Sequence, residues 1–238
     1  MKLDILAFGA HPDDVELGCS GTIAKEISLG KKVGIIDLTR GELGTRGSVA
    51  LRNSESAKAS EILGISVREN LDMRDGFFVN DEAHQMKIIQ MIRKYQPDIV
   101  LCNAIRDRHI DHGKGSQLVS DACFLSGLRK IETSLDGKEQ EAWRPKLVYH
   151  YIQWQNIEPD FVVDISEFIE KKTASILAYS SQFYSEDSKE PVTPIATKNF
   201  LESIHYRSQD FGRLVGVDYA EGFTVERYVA VKSLGDLI

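Results

Sequence analysis

Leu3-Asp4-Ile5-Leu6-Ala7-Phe8-Gly9-Ala10-His11-Pro12-Asp13-Asp14-Val15-Glu16-Leu17-Gly18 opens the chain with an apolar run that stops at a glycine and passes into histidine and aspartate. Leu3 to Phe8, a short apolar run closed by Gly9, reads as a buried strand. A helix is expected from Leu17 to Leu29, with Gly30 as its C-terminal stop. The same unit then recurs. Val33 to Leu38 is a second apolar, β-branched run, and Val49 to Leu63 has a helical pattern ended by Gly64. Val67 to Leu71 is a weaker third strand. Glu82 to Tyr95 places Met86, Ile89 and Ile92 at helical spacing, and Pro97 separates that helix from a strand at Asp98 to Cys102. A further helix is expected from Gly115 to Ser126.

Strand and helix in alternation over the first 125 residues predict an α/β fold. The expected architecture is Rossmann-like and doubly wound, a mostly parallel sheet with right-handed crossovers and helices on both faces. Residues 126–238 are less regular and read as a smaller C-terminal extension of one domain spanning 1–238, completing the sheet and the substrate site. In it, Leu147 to Ile152 and Phe161 to Ile165 are expected strands. Ser166 to Tyr179 is an expected helix with Ser166 as N-cap, Thr197 to Arg213 another, and Arg227 to Val231 a late strand. Ser180 to Pro194 is polar, carries two prolines, and reads as a loop or lid.

The 238 residues carry 29 Lys+Arg against 36 Asp+Glu, a net charge of −7, which argues against duplex nucleic acid as a partner because phosphate binding needs a basic face. No run reaches the ~20 apolar residues of a membrane span, and the N-terminal apolar run is too short for a signal peptide. Cys19, Cys102 and Cys123 lack metal-finger spacing and fit a reducing compartment, so a cytoplasmic location is expected.

Two segments stand out chemically: His11-Pro12-Asp13-Asp14 after the first strand, and Arg106-Asp107-Arg108-His109-Ile110-Asp111-His112 after the fourth. With strand order 3-2-1-4-5 the first and fourth strands are neighbours, and their C-terminal ends flank the crevice where such folds bind ligands. Taken singly, the aspartate pair reads equally well as a helix cap and each histidine as a structural hydrogen-bonder. Together, His11, Asp14 and His112 offer the two imidazoles and one carboxylate of a catalytic zinc site with a position left open. Asp13 is then free to act as a base, His109 to stabilise an oxyanion, and Asp111 to orient a histidine.

At these residues the sequence resembles the PIG-L/LmbE-like zinc deacetylases, which remove the acetyl group from N-acetylglucosaminyl compounds. Further matches lie at Leu51-Arg52, Asp75-Gly76, Ser181-Gln182-Phe183 and Tyr219-Ala220-Glu221-Gly222-Phe223. Length and the C-terminal pattern look most like the deacetylase of bacillithiol biosynthesis, which acts on N-acetylglucosaminyl-malate. The resemblance implies one zinc per chain on His11, Asp14 and His112, with iron(II) as the alternative metal. It implies Asp13 as general base, His109 assisting the tetrahedral intermediate with Asp111 beside it, and Arg52 and Asp75 against the sugar. It also implies a homo-oligomer, a trimer or hexamer. Ile110 departs from the proline found at that position in many relatives.

Arg52, Arg106 and Arg108 suit an anionic group such as malate, because guanidinium forks match carboxylates; the alternative is solvated surface charge. Gly41 to Gly47 lacks the Lys-Ser/Thr of a phosphate loop and reads as a substrate loop. Cys19 reads as a small buried residue. His84, His150 and His205 read as structural or exposed, and Trp143, Trp154 and Tyr184 as sugar-site or packing residues. The rival readings are a deacetylase of another N-acetylglucosaminide, an amidase of thiol conjugates, and a non-catalytic sugar-binding protein.

Overall fold

The computed structural model describes residues 1–237. The principal elements are β1 (Ile5–Gly9), α1 (Asp14–Ser28), β2 (Val33–Thr39), α2 (Val49–Leu63), β3 (Val67–Met73), α3 (Glu82–Tyr95), β4 (Ile99–Cys102), α4 (Ile110–Leu125), β5 (Ser134–Leu135), β6 (Lys138–Glu139), β7 (Leu147–Tyr151), β8 (Phe161–Asp164), α5 (Ile169–Leu177), α6 (Lys198–Val215) and β9 (Ala220–Val225). Seven strands form one sheet in the order β3-β2-β1-β4-β7-β9-β8, and β5-β6 is a separate hairpin. Neighbours from β3 to β7 are parallel; β9 runs antiparallel to both β7 and β8.

The period of two explains the unbroken apolar strands. Leu6 and Phe8 of β1 and Ile36 and Leu38 of β2 enter the core that includes Ile88, Ile92, Leu118 and Ala122 of α3 and α4. Ile5, Ala7, Val33 and Ile35 enter the opposite core, with Val15, Cys19 and Ile23 of α1. A central strand clothed by helices on both faces has no solvent side on which to place polar residues. A third cluster joins Ala59, Ile176, Tyr179, Phe183 and Phe200, packing α2, α5 and α6 together.

The doubly wound, mostly parallel sheet matches the expectation from the sequence, as does β7 beside β4 in the fifth position. Several boundaries differ. Helix α1 begins at Asp14, not Leu17, and α4 at Ile110, not Gly115, because His109 caps it by accepting from Asp111 N. Ser166 is not a helix N-cap: its hydroxyl bonds the Asp164 carboxylate, a 3-10 turn spans Ser166–Phe168, and α5 starts at Ile169. Helix α6 is capped by Thr197, whose side chain accepts from Phe200 N. Arg227 to Val231 forms no strand; the last strand is β9, which ends at Val225.

Candidate active site

Most of the chemically distinctive residues lie beyond C-terminal strand ends; Arg52, on α2, reaches in from a helix. The turn after β1 carries His11 and Asp13 and leads into Asp14 at the start of α1, the turn after β3 carries Asp75, the turn between β4 and α4 carries Asp107 and His109 and leads into Asp111 and His112 in the first turn of α4, and Gln153 follows β7. Connections leave β1 and β4 toward opposite faces, so this is the crevice of the sheet. Sequence positions about 100 residues apart meet there.

Asp14 sits between two imidazoles. Its Oδ2 lies 3.5 Å from His11 Nδ1, and its Oδ1 lies 3.0 Å from His112 Nε2. The carboxylate therefore faces one ring through each of its two oxygens. Asn103 Nδ2 and Gln153 Nε2 donate to the two Asp14 oxygens, both at 3.0 Å, and His11 N donates to Oδ2 at 2.9 Å. The outer nitrogens of both rings are also held. His112 Nδ1 is 2.5 Å from Asp107 Oδ2, and His11 Nε2 is 3.0 Å from Asp75 Oδ1 and 3.5 Å from Asp111 Oδ2. Carboxylates behind imidazoles fix ring orientation and raise ligand basicity. Two groups of three bring their donor atoms within 4.8 Å of one another, His11-His109-His112 and His11-Asp75-Asp111; neither includes Asp14. His11 belongs to every arrangement.

Asp13 has φ 125 and ψ −22, an uncommon conformation for a non-glycine residue that costs ~1–3 kcal/mol and needs surrounding contacts to hold it. Arg52 Nη2 supplies one, 3.0 Å from Asp13 Oδ2, and also donates to Gln182 Oε1 at 2.7 Å. Gly41 makes room for Arg52: at φ +60, a Cβ there would stand 1.9 Å from Arg52 Nη1. The glycine loop and the 180–194 segment are clamped through Arg46, which donates to Ser181 O, Pro191 O and Ser188 Oγ.

The electrostatics separate the two neighbouring aspartates. Burial pushes the Asp13 carboxyl up to about 7, against the pull of Arg52. Asp14 is equally buried, but His112 and His11 hold it well below the usual carboxylate range. Burial alone would lower His11 and His112; the surrounding carboxylates outweigh it, raising His11 and bringing His112 to about 9. Burial and the charges of His11 and His112 lower His109. Its Nδ1 accepts from Asp111 N, which leaves the neutral ring with its proton on Nε2.

A pocket of about 50 Å³ adjoins His112 and is walled by Leu17, Arg108, Trp154, Phe200 and Arg207. It continues along α6 into a groove of about 660 Å³ that shares Trp154, Phe200 and Arg207. Arg108 lies over one side of Trp154, 4.8 Å from the ring centroid, and Phe200 stacks with it at 5.2 Å.

A model of the PIG-L family, described as GlcNAc-PI de-N-acetylase, matches residues 6–123, from β1 into α4. The chain is 31% identical over 233 residues to a diacetylchitobiose deacetylase of Thermococcus kodakarensis, covering 92% of this chain and 81% of the relative. This chain belongs to the PIG-L deacetylase family. Among solved structures, a conserved protein from Thermus thermophilus is 36% identical with a TM-score of 0.86, covering 98% of both chains. The N,N'-diacetylchitobiose deacetylase from Pyrococcus horikoshii is 25% identical with a TM-score of 0.81, covering 98% of this chain and 88% of that one.

In this PIG-L family member the turns bring together His11, Asp13, Asp14, His109, Asp111, His112, Arg52 and Asp75. Arg52 is turned to Asp13 and Asp75 to His11, rather than standing free for a ligand. Arg108 reaches the pocket beside His112, whereas Arg106 is exposed and lines neither that pocket nor the groove beyond it. Trp154 walls the site; Trp143 instead packs against the α3–α4 core. The sequence reading left out Asn103 and Gln153, and gave no role to Asp107 or Gln182, although both lie in stretches it quoted. Gln153 follows a strand end, as most of the site residues do, and that position was the available signal.

Proposed function

We propose that this chain is a zinc-dependent deacetylase that hydrolyses the N-acetyl group of an N-acetylglucosaminyl conjugate. The observation that carries the reading is the Asp13–Arg52 pair, buried beside an Asp14 that joins His11 and His112. His11, Asp14 and His112 would hold the metal, with His11 and His112 neutral in that state. When bound, the metal supplies Lewis acidity toward the acetyl carbonyl. Asp13 takes the proton of the attacking water, and Arg52, pulling against burial, keeps a share of that carboxyl ionised at neutral pH. The same carboxyl then returns that proton to the departing amine. His109 Nε2 donates to the oxyanion of the tetrahedral intermediate, a contribution of ~3–4 kcal/mol for donors of this kind. Asp111 and Asp107 orient His11 and His112.

Two relatives named for diacetylchitobiose support the N-acetylglucosamine ring. For the rest of the substrate, Arg108 is the feature that selects. It lies over Trp154 at the edge of the pocket beside His112, well placed to meet a carboxylate. This supports N-acetylglucosaminyl-malate, the substrate of bacillithiol biosynthesis, as the preferred conjugate. A disaccharide is the second reading, favoured by the aromatic wall of the groove. The kcat/KM ratio for N-acetylglucosaminyl-malate over diacetylchitobiose decides between them. Arg108→Ala should reduce it ~10–150-fold if Arg108 binds the carboxylate, and leave it unchanged if the disaccharide is the substrate. The metal-free chain, or Asp13→Asn, should lose at least ~10²-fold in turnover; a variant retaining a tenth of wild-type turnover would remove Asp13 from the base role. We also propose a cytoplasmic homo-oligomer, a trimer or hexamer, which a light-scattering mass equal to one 26.7 kDa chain would refute.

A further inference from the structure

Helix α1 is not continuous. Cys19 adopts φ −148 and ψ 18, so Asp14 to Gly18 forms a five-residue segment set apart from the rest. Gly18 is pressed against the Tyr151 ring and Gly21 against Ile165, close approaches that any Cβ would obstruct. A break inside a helix strands backbone donors on one side and acceptors on the other. Here one buried ion pair serves both. Glu221 of β9 accepts from Gly21 N at 3.0 Å through Oε1 and from Thr22 N at 2.7 Å through Oε2. Lys172 of α5 donates to Leu17 O at 2.8 Å and Glu16 O at 3.3 Å, and lies 2.6 Å from Glu221 Oε1. Ser20 Oγ adds a bond to Glu16 O.

We propose that the Lys172–Glu221 pair is a positioning device for the reaction centre, fixing the short segment of α1 whose N-terminal end carries Asp13 and Asp14. The inference rests on the reading of that centre as a metal-dependent deacetylase site. Replacing a buried ion pair by apolar residues is often neutral or stabilising, so net stability is a weak reason for two charges 2% and 4% exposed. Their geometry gives a better one. Lys172 holds the carbonyl end of the short segment and Glu221 the amide end of the longer half of α1, so the two charges set the distance and angle between the halves. The opposite end of the segment is Asp14, whose carboxylate must meet His11 and His112 together. Leu17, one of the residues held by Lys172, also walls the pocket beside His112. A cavity of about 20 Å³ lies against Lys172, Glu221, Leu17 and Arg207, room for about one water.

The test uses the metal-stripped full chain, titrated with cobalt(II) and followed by visible absorption, alongside kcat and KM for N-acetylglucosaminyl-malate and diacetylchitobiose. Lys172→Met and Glu221→Gln should each weaken cobalt(II) binding ~10–100-fold and lower kcat similarly, with KM nearly unchanged, as for residues that support metal ligands. Lys172→Arg, which keeps the charge and the carbonyl contacts, should recover most of both. The double variant Lys172→Met/Glu221→Gln leaves no stranded charge and keeps the comparison open if a single variant does not fold. Folded variants that melt at lower temperature but bind cobalt(II) and turn over like wild type would reduce the pair to a structural role and overturn the inference. A wild-type chain that neither binds cobalt(II) nor deacetylates would instead overturn the reading of the site, and this inference with it.

Discussion

Asp13 and Asp14 are adjacent, equally buried and electrostatically opposite. Their difference comes from partners: one guanidinium for Asp13, two imidazoles and two side-chain amides for Asp14. Arg52 lowers the Asp13 carboxyl against a larger upward push from burial. Removing the guanidinium must therefore raise that pKa and leave less of the base ionised at neutral pH. Arg52→Gln should move the acidic limb of the kcat/KM profile to higher pH by ~1 unit and cost ~5-fold at pH 7. An unmoved limb with altered KM would confine Arg52 to the sugar. The histidines make a second prediction. His11 and His112 are both raised, so a cation binding at pH 7 displaces their protons. Apparent zinc affinity should climb with pH up to about 9, with a slope approaching about two protons per ion, as isothermal titration in buffers of different ionisation enthalpy would show. At this scale the sequence disclosed residue types and their spacing after strands, which suffices for His11, Asp13, Asp14, His109, Asp111 and His112. It did not disclose that Asp75 would reach His11 or that Asp107 would hold His112, because those pairings depend on the three-dimensional course of separate turns.

Among the elements, β1, β2 and β4 were legible because burial on both faces leaves an apolar signature that needs no context. Strand β9 was not. Ala220-Glu221-Gly222-Phe223-Thr224-Val225 interrupts its apolar pattern with a glutamate and a glycine, and both answer to neighbours: Glu221 to the break in α1, Gly222 to the close approach of Phe211 and Ile152. The start of α4 was hidden by Gly113 and Gly115, which weaken helix propensity; the cap from His109 and packing along the crevice override it. His150 on β7 shows the same limit. Far from isolated, it lies 3.2 Å from Cys102 Sγ, 2.8 Å from Ser116 Oγ and 3.0 Å from Glu226 Oε1. Burial lowers its pKa, but Cys102 and Glu226 more than compensate and raise it to about 10. A folded-state pKa above the unfolded value of about 6.5 gives stabilisation that is complete below that pH and fades as pH rises toward 10. Urea unfolding should therefore show wild type gaining over His150→Gln by at least ~1 kcal/mol more at pH 6 than at pH 9.5. A difference independent of pH would mean that the ring packs there without carrying charge.

Over the whole molecule, stability and chemistry occupy different places. The two cores lie above and below the sheet, while the reaction centre is assembled from turns after β1, β3, β4 and β7. Carboxylates, imidazoles and amides bond those turns to one another. A cation seated among His11, Asp14 and His112 would tie the β1 and β4 turns further, and would bind the folded chain alone, since the unfolded chain separates His11 from His112 by 101 positions. Linkage then gives its effect on stability: free metal at 100 times its Kd adds ~2.7 kcal/mol. For a domain of this size each 1 kcal/mol moves Tm by about 2–4 °C, so zinc should raise Tm by ~5–10 °C, the shift growing with the logarithm of metal concentration. His112→Ala should abolish the shift and also lower the metal-free Tm, because it leaves the buried Asp14 and Asp107 carboxylates without the ring they pair with. Scanning calorimetry with and without chelator measures both. A zinc-induced shift that survives in His112→Ala would place the ion on the alternative group of His11, Asp75 and Asp111, and the ligand set proposed for the PIG-L centre would have to be redrawn.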